Sequence, residues 1–282
     1  MGRMQSRTLQ EVLAQEGIAD LTGLWSAEQI YEWNRRMDPL FAAASDQPRS
    51  YVNADQLVEM GVFQEALSEP VRRLIASIQP SALLYHCHCY EIAAAQKKPH
   101  IQQNRLQGWH KDWETIKYFT KDFPTFVSIF VLMTPVGDVD GAFEFAPRSD
   151  AGLRAGGEVV RLIGPAGTTA IWNRSYYHRA SPNQGPRRRR ILKFSFQPAG
   201  LPNNRIRLDE FKSAYSKLDD PRLRAFVDAR RVGTTEPLAE AGEPVEARLF
   251  LSGDTNQLTG LSTAFERLYA SGCKLLSSVL AS

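Results

Sequence analysis

In residues 1–80 apolar side chains recur at helical intervals, whereas from residue 82 to about 200 they alternate with polar ones or gather in short runs. Leu9, Val12 and Leu13 share one face of a short helix predicted over Thr8–Gln15, and Gly17 ends it. Ser26 with Gln29 three residues on predicts a capping box that opens a helix over Ala27–Met37. A third helix is predicted from Asn53 or Asp55, and a fourth over Pro70–Ile78, ended ahead of Pro80. The whole segment reads as helical.

The pattern changes at Pro80. Leu83–Ile92 is rich in aromatic and small apolar residues and has the length of a strand. Further strands are predicted over Thr125–Met133, Ala142–Phe145, Thr168–Trp172 and Arg189–Gln197. Turn residues separate them: Thr134-Pro135, Gly137-Asp138, Pro147, Gly164-Pro165 and Asn183-Gln184-Gly185-Pro186. Short strands so spaced predict an antiparallel sandwich or barrel. The expected fold is mainly β with flanking α: a double-stranded β-helix, or cupin-like jelly roll, over residues 82–200, with N-terminal and C-terminal helices packed outside. Beyond Pro198, Pro221–Arg231 reads as helix, Thr234–Glu243 as loop and Ser262–Leu280 as an amphipathic helix. No linker separates a second unit, so residues 1–282 are expected to form one domain, with a helical segment 1–80, the core 82–200 and a mixed segment 201–282.

Composition narrows the class. Apolar residues at 43% and charged residues at 23% suit a globular chain large enough to fold without staples. The three cysteines form no CxxC pair, which suggests reduced thiols and a cytoplasmic location. No apolar run reaches the roughly 18 residues of a membrane span, and no signal-peptide apolar region opens the chain. A net charge of +3 is too small to imply a nucleic-acid partner, so none is expected. The sequence carries no signal for an oligomeric state.

The chemistry sits at His110-Lys111-Asp112. In an extended segment His110 and Asp112 point to one side and Lys111 to the other. With His178 they make two imidazoles and a carboxylate, a set that suits Fe(II) and leaves coordination positions open. Alone the pair is weak evidence, because it reads equally well as a surface histidine and a turn aspartate. Its context adds weight. Trp109 and Trp113 flank the pair, His178 follows a predicted strand, and Arg189 lies at the start of another.

Arg187, Arg188, Arg189 and Arg190 are adjacent. In a strand Arg187 and Arg189 share a face with Ile191, Lys193 and Ser195, while Arg188 and Arg190 share the other with Leu192, Phe194 and Phe196. The first face is the more polar, as a cofactor-lined interior would be. Arg189 is therefore expected to hold a carboxylate in a two-point fork, with Arg187 as reserve. For at least two of the four a solvated basic turn is the ordinary reading, and phosphate contact is another. His86 and His88 alternate on a strand face with Tyr90; packing within the sheet is favoured over metal binding for the two histidines, and Tyr90 faces the co-substrate pocket in this reading. Gln103, Asn104 and Gln107 precede the ligands and read either as site contacts or as ordinary loop amides, Asn104 being taken as a candidate for the co-substrate. Lys117, Tyr118 and Trp172 are candidates for the pocket wall, with a core role equally open for Trp172.

Three stretches, Trp109–Asp112, Gly141–Ser149, and Gly167 through His178 to Asn183 and Arg189, resemble the phytanoyl-CoA dioxygenase family of iron- and 2-oxoglutarate-dependent oxygenases. The resemblance implies that His110, Asp112 and His178 bind Fe(II) and that Arg189 binds the distal carboxylate of 2-oxoglutarate. It implies O2 as the oxidant and hydroxylation of an unactivated C–H bond in a small organic metabolite, with 2-oxoglutarate decarboxylated to succinate. It covers about residues 82–200 and leaves the tail after Pro198 unexplained. Two positions depart from the family's pattern: Pro147-Arg148-Ser149-Asp150 replaces P-G-S-H, and Thr168 replaces an acidic residue. The presence of Asp112 argues against halogenation. Lys111, Lys117, Arg148 and the spare arginines lean toward an anionic substrate. A non-catalytic jelly roll that binds metal or ligand, and an oxygenase acting on nucleic acid through the basic run, are the competing readings.

Overall fold

A computed structural model describes residues 7–97, 107–112, 123–149, 158–201, 216–239 and 245–248. Five helices precede the main strands: α1 Leu9–Gln15, α2 Ala27–Ala43, α3 Ala54–Glu59, α4 Val62–Ala66 and α5 Glu69–Ile78. Capping boxes open three of them, Thr8 with Glu11, Ser26 with Gln29, and Asn53 with Gln56. Each satisfies amide groups that a helix start otherwise leaves without partners. Gly17 follows α1 at φ 87°, a conformation that glycine adopts at no steric cost.

The strands are β1 Ile18–Asp20, β2 Arg49–Asn53, β3 Ala82–Ile92, β4 Val127–Leu132, β5 Phe143–Phe145, β6 Val160–Leu162, β7 Thr169–Asn173, β8 His178–Ala180 and β9 Arg189–Pro198. They form a six-stranded sheet in the order β1-β7-β4-β9-β3-β2 and a three-stranded sheet in the order β6-β5-β8. Every pairing is antiparallel. This is the expected mainly β, jelly-roll class with helices outside, although the larger sheet stays open, with β1 and β2 as its edges.

The strands of the larger sheet alternate between two apolar clusters. Cys87, Cys89, Ile129, Val131, Leu192, Phe194 and Phe196 pack with Trp33, Phe63 and Ile75 of the helices. Tyr90, Phe130, Trp172 and Ile191 pack with Phe143 and Phe145 of the smaller sheet. Burial on both faces explains why β3 and β9 read as near-continuous apolar runs.

The sequence reading needs correction at several elements. Residues 1–80 are not wholly helical, since β1 and β2 edge the larger sheet by pairing with β7 and β3. β1, β6 and β8 have three residues each, too few to show a period. α2 runs through Pro39 to Ala43 instead of ending at Met37. Tertiary packing outweighs the lost amide: Phe41 is buried under the Arg190 guanidinium, 4.1 Å from its ring centre, and Asn34 and Asp38 of the same helix bond Arg190. The predicted helix over Pro221–Arg231 divides into α6, Pro221–Ala225, and a 3-10 turn, Ala229–Arg231. Ser262–Leu280 lies outside the described residues.

The buried charge on the helix side of the sheet centres on Glu91. Its carboxylate accepts hydrogen bonds from Arg188 at 2.5 Å and from Arg190 at 2.9 Å. Glu91→Ala leaves Arg190 buried with Asp38 as its remaining acid, and removing one partner of a buried pair costs about 3 kcal/mol. Denaturant unfolding should show a loss of that size at unchanged slope.

Candidate metal centre

The amide of His110 donates to the carbonyl of His178 at 3.1 Å, and the amide of His178 donates to the carbonyl of His110 at 3.0 Å. This reciprocal antiparallel bridge sets His110 beside β8, whose other edge pairs with β5. The imidazole rings lie 4.4 Å apart, centre to centre. Asp112, two residues on, places a carboxylate oxygen 3.7 Å from Nε2 of His178. One donor atom from each of His110, Asp112 and His178 lies within 4.8 Å of the other two, and among the described residues this is the one cluster of three or more such groups. Lys111 points elsewhere, its ammonium 5.1 Å from the Tyr177 ring centre.

Both histidines are oriented in the same way. The Nδ1 of His110 lies 2.7 Å from the Gly108 carbonyl, and that of His178 lies 3.0 Å from the Tyr176 carbonyl. A carbonyl only accepts, so Nδ1 carries the proton and Nε2 keeps its lone pair for a cation. Burial pushes the pKa of His110 down and that of His178 well down. The Lys193 ammonium lowers both further, and so faces the same centre from β9. Neutral imidazole is the metal-binding form.

Residues outside the motif hold the ligands. Arg174 donates from Nε to the Asp112 carboxylate at 2.5 Å and also bonds the Tyr85 hydroxyl. Glu144 accepts from Arg179 and Ser181, both at 2.6 Å. Arg179 in turn bonds the Gln107 carbonyl and covers the Trp109 ring, which braces the turn leading into His110. Trp172 lies 4.5 Å from the His178 ring, and Phe143 lies 5.8 Å from it, so the cation side is walled with aromatics. Ser149 ties the middle stretch to the same place, its hydroxyl accepting from the Tyr177 amide. Sequence reasoning missed Arg174, whose partner lies 62 residues away. Lys193 was legible only as a member of the Arg189 face.

The four arginines separate as strand alternation requires. Arg188 and Arg190 are neutralised by Glu91 on the helix side, and Arg187 stands at the surface on Asp140. Arg190 is therefore a buried ion-pair member and not part of a solvated turn. Arg187, the reserve candidate for a carboxylate, already has one. Arg189 is 1% exposed, and its Nε, Nη1 and Nη2 all lack a hydrogen-bond partner. Asn183 sets up this geometry, donating to the carbonyls of Ala93 and Arg187 and so fastening the end of β3 to the turn before β9.

Tyr90 lies on the Arg189 face, buried, opposite Ile191. His86 and His88 meet edge to face, 4.3 Å between ring centres, and join no metal cluster among the described residues. Asn104, Gln103, Trp113, Lys117 and Tyr118 lie outside the described residues.

A family model described as phytanoyl-CoA dioxygenase matches residues 12–191. Comparison of the sequence with curated proteins gives no match. Among solved structures, AviO1 from Streptomyces viridochromogenes Tue57 is similar at 14% identity and a TM-score of 0.53, covering 68% of this chain and 95% of that one. EctD from S. alaskensis, solved with 2-oxoglutarate and 5-hydroxyectoine, is similar at 15% identity and a TM-score of 0.52, covering 67% and 74%. At these identities the likeness shows the fold.

Two outcomes follow from the geometry. Both histidines have folded-state pKa values below the ordinary 6.5, so below that pH the unfolded chain takes up protons that the folded chain excludes. The chelator-treated protein should lose stability as pH falls through about 6.5 in thermal melts, with a shallower loss in His178→Gln. Arg174→Gln should weaken Co(II) binding about tenfold by releasing the Asp112 carboxylate. Unchanged affinity in a metal titration would assign Arg174 to packing alone.

Proposed function

The chain belongs to the phytanoyl-CoA dioxygenase family of Fe(II)- and 2-oxoglutarate-dependent oxygenases, and from that premise we propose that it hydroxylates an unactivated C–H bond of a small organic metabolite. The observation that carries this reading is Arg189. A guanidinium buried with every nitrogen unpartnered is costly unless an anion meets it, and this one shares a sheet face with Lys193 beside the His110–Asp112–His178 cluster. A keto dicarboxylate answers both demands, with one end for a metal and the other for a fork of N–H donors. The same-fold EctD structure holds 2-oxoglutarate.

In this reading Nε2 of His110, Nε2 of His178 and the Asp112 carboxylate would hold Fe(II). Arg189 fixes the far carboxylate of 2-oxoglutarate. When bound, the iron and keto acid supply the oxidising chemistry with O2 and leave succinate and CO2. Arg174 keeps Asp112 in place, Trp172 and Phe143 exclude water from one side, and Lys193 adds a cation that favours an anionic ligand. The helical segment, the core and the described part of the tail are read as a single catalytic domain. The arginine run favours no nucleic-acid role, because three of its members carry acidic partners and the fourth is buried.

Succinate release from 2-oxoglutarate is the measurement. The Fe(II)-loaded chain should release succinate, most strongly with an anionic metabolite present. His110→Ala should abolish release while the melting temperature stays within a few degrees of the parent. A chain that binds metal and keto acid but releases no succinate with any of a broad metabolite panel would be a binding protein instead.

A further inference from the structure

Arg49 on β2 stands opposite Ile92 on β3, and Ile92 stands opposite Arg189 on β9. Residues in one row across neighbouring strands project from the same face, so the two arginines flank Ile92 on the metal side of the sheet. Strands about 4.8 Å apart put their Cα atoms about 10 Å apart, within the combined reach of two arginine side chains. The next row on that face, two residues along each strand, holds Tyr51, Tyr90 and Ile191. The guanidinium carbon of Arg49 lies 4.6 Å from the Tyr51 ring centre and 5.1 Å from that of buried Tyr90.

Neither arginine has a carboxylate partner among the described residues. The Nε of Arg49 is buried with no hydrogen-bond partner, as are all three nitrogens of Arg189. Burial weakens the hold of Arg189 on its proton, the Arg49 charge weakens it further, and both charges reach Tyr90. Every neighbouring arginine is neutralised, Arg187 by Asp140 and Arg188 and Arg190 by Glu91. Two like charges that converge without a counterion, one of them fully buried, call for a ligand anion.

We propose that Arg49 and Arg189 together clasp the far carboxylate of 2-oxoglutarate against Tyr90, so that two guanidinia select a dicarboxylic keto acid. This clasp presupposes the keto-acid site described under Proposed function. Arg49 contributes affinity for the carboxylate end and nothing to the keto end. Decarboxylation leaves the far carboxylate intact, so succinate keeps the group that the clasp grips and dissociates against the same two arginines.

The test is anaerobic calorimetric titration of the Fe(II)-loaded chain with 2-oxoglutarate, succinate and 2-oxobutyrate, a keto acid that lacks the far carboxylate. Arg49→Gln should weaken 2-oxoglutarate and succinate about tenfold, as expected for loss of a charge-assisted contact, and leave 2-oxobutyrate within about twofold. Arg49→Lys, which retains the charge and stem but not the fork, should lie between parent and Arg49→Gln for the two dicarboxylates, with 2-oxobutyrate again unmoved. Equal losses for all three ligands, or no loss for the dicarboxylates, would overturn the clasp and leave Arg49 as a brace for Tyr51 and Tyr90. Arg189→Gln separates the two levels. If it weakens the dicarboxylates while Arg49→Gln does not, only the second guanidinium fails; if it too leaves them unchanged, the keto-acid site itself is wrong.

Discussion

Two backbone hydrogen bonds between residues 110 and 178 hold the candidate centre together. They join the turn leading into His110 to the edge of the smaller sheet. Because the bonds are reciprocal, they fix translation and rotation of one segment against the other, and the two imidazoles follow. Each ring is then locked by a second bond, from Nδ1 to the carbonyl two residues earlier. Asp112 inherits its position from the same segment, and Arg174 adds the restraint that the backbone does not supply. Arg179 completes the frame, pinning the turn to the sheet through Gln107 and Trp109.

Strand alternation does the corresponding work on the opposite wall. β9 delivers Arg190, Leu192, Phe194 and Phe196 to the helices and Arg189, Ile191 and Lys193 toward the metal side. A run of four identical residues thus acquires different roles from parity and partners alone. The cations on the helix side meet Glu91 and Asp38, and they tie the sheet to α2. On the metal side, none of the three Arg189 side-chain nitrogens has a hydrogen-bond partner among the described residues. The contrast between neutralised and unpartnered guanidinia is what supports the proposed carboxylate role of Arg189 over its neighbours.

That parity was legible in the sequence, because a period of two needs only the strand assignment of β9. The pairing of His110 with Asp112 was legible for the same reason. The long strands β3, β4, β7 and β9 also read correctly within a residue or two, since each has enough positions to show a pattern. Of the three-residue strands β5 read correctly, within Ala142–Phe145, whereas β1, β6 and β8 did not. β8 carries His178 itself, yet three residues give no period, and its extended form is imposed by β5 on one side and His110 on the other. β2 hides its alternation behind polar side chains, with buried Ser50 and Val52 against exposed Tyr51. The grip of Arg174 on Asp112 and the approach of Arg49 to Tyr90 depend on contacts far apart in sequence, for which a single chain offers no local signal.

Burial gives the site its character in two ways. Excluding water from Arg189 makes its unpartnered guanidinium expensive to keep, and the same exclusion strengthens its attraction for any carboxylate that arrives. Excluding water from the histidines suppresses their protonation, and the same exclusion leaves their lone pairs available to a cation. The indole N–H of Trp172 and the hydroxyl of Ser175 are further buried groups without partners in this part of the chain. Elsewhere the sheets close their buried charges carefully, Glu91 with Arg190 and Glu144 with Arg179. A buried guanidinium left open beside a cluster of metal donors sets stability against chemistry there, and a bound anion beside a metal would resolve both at once.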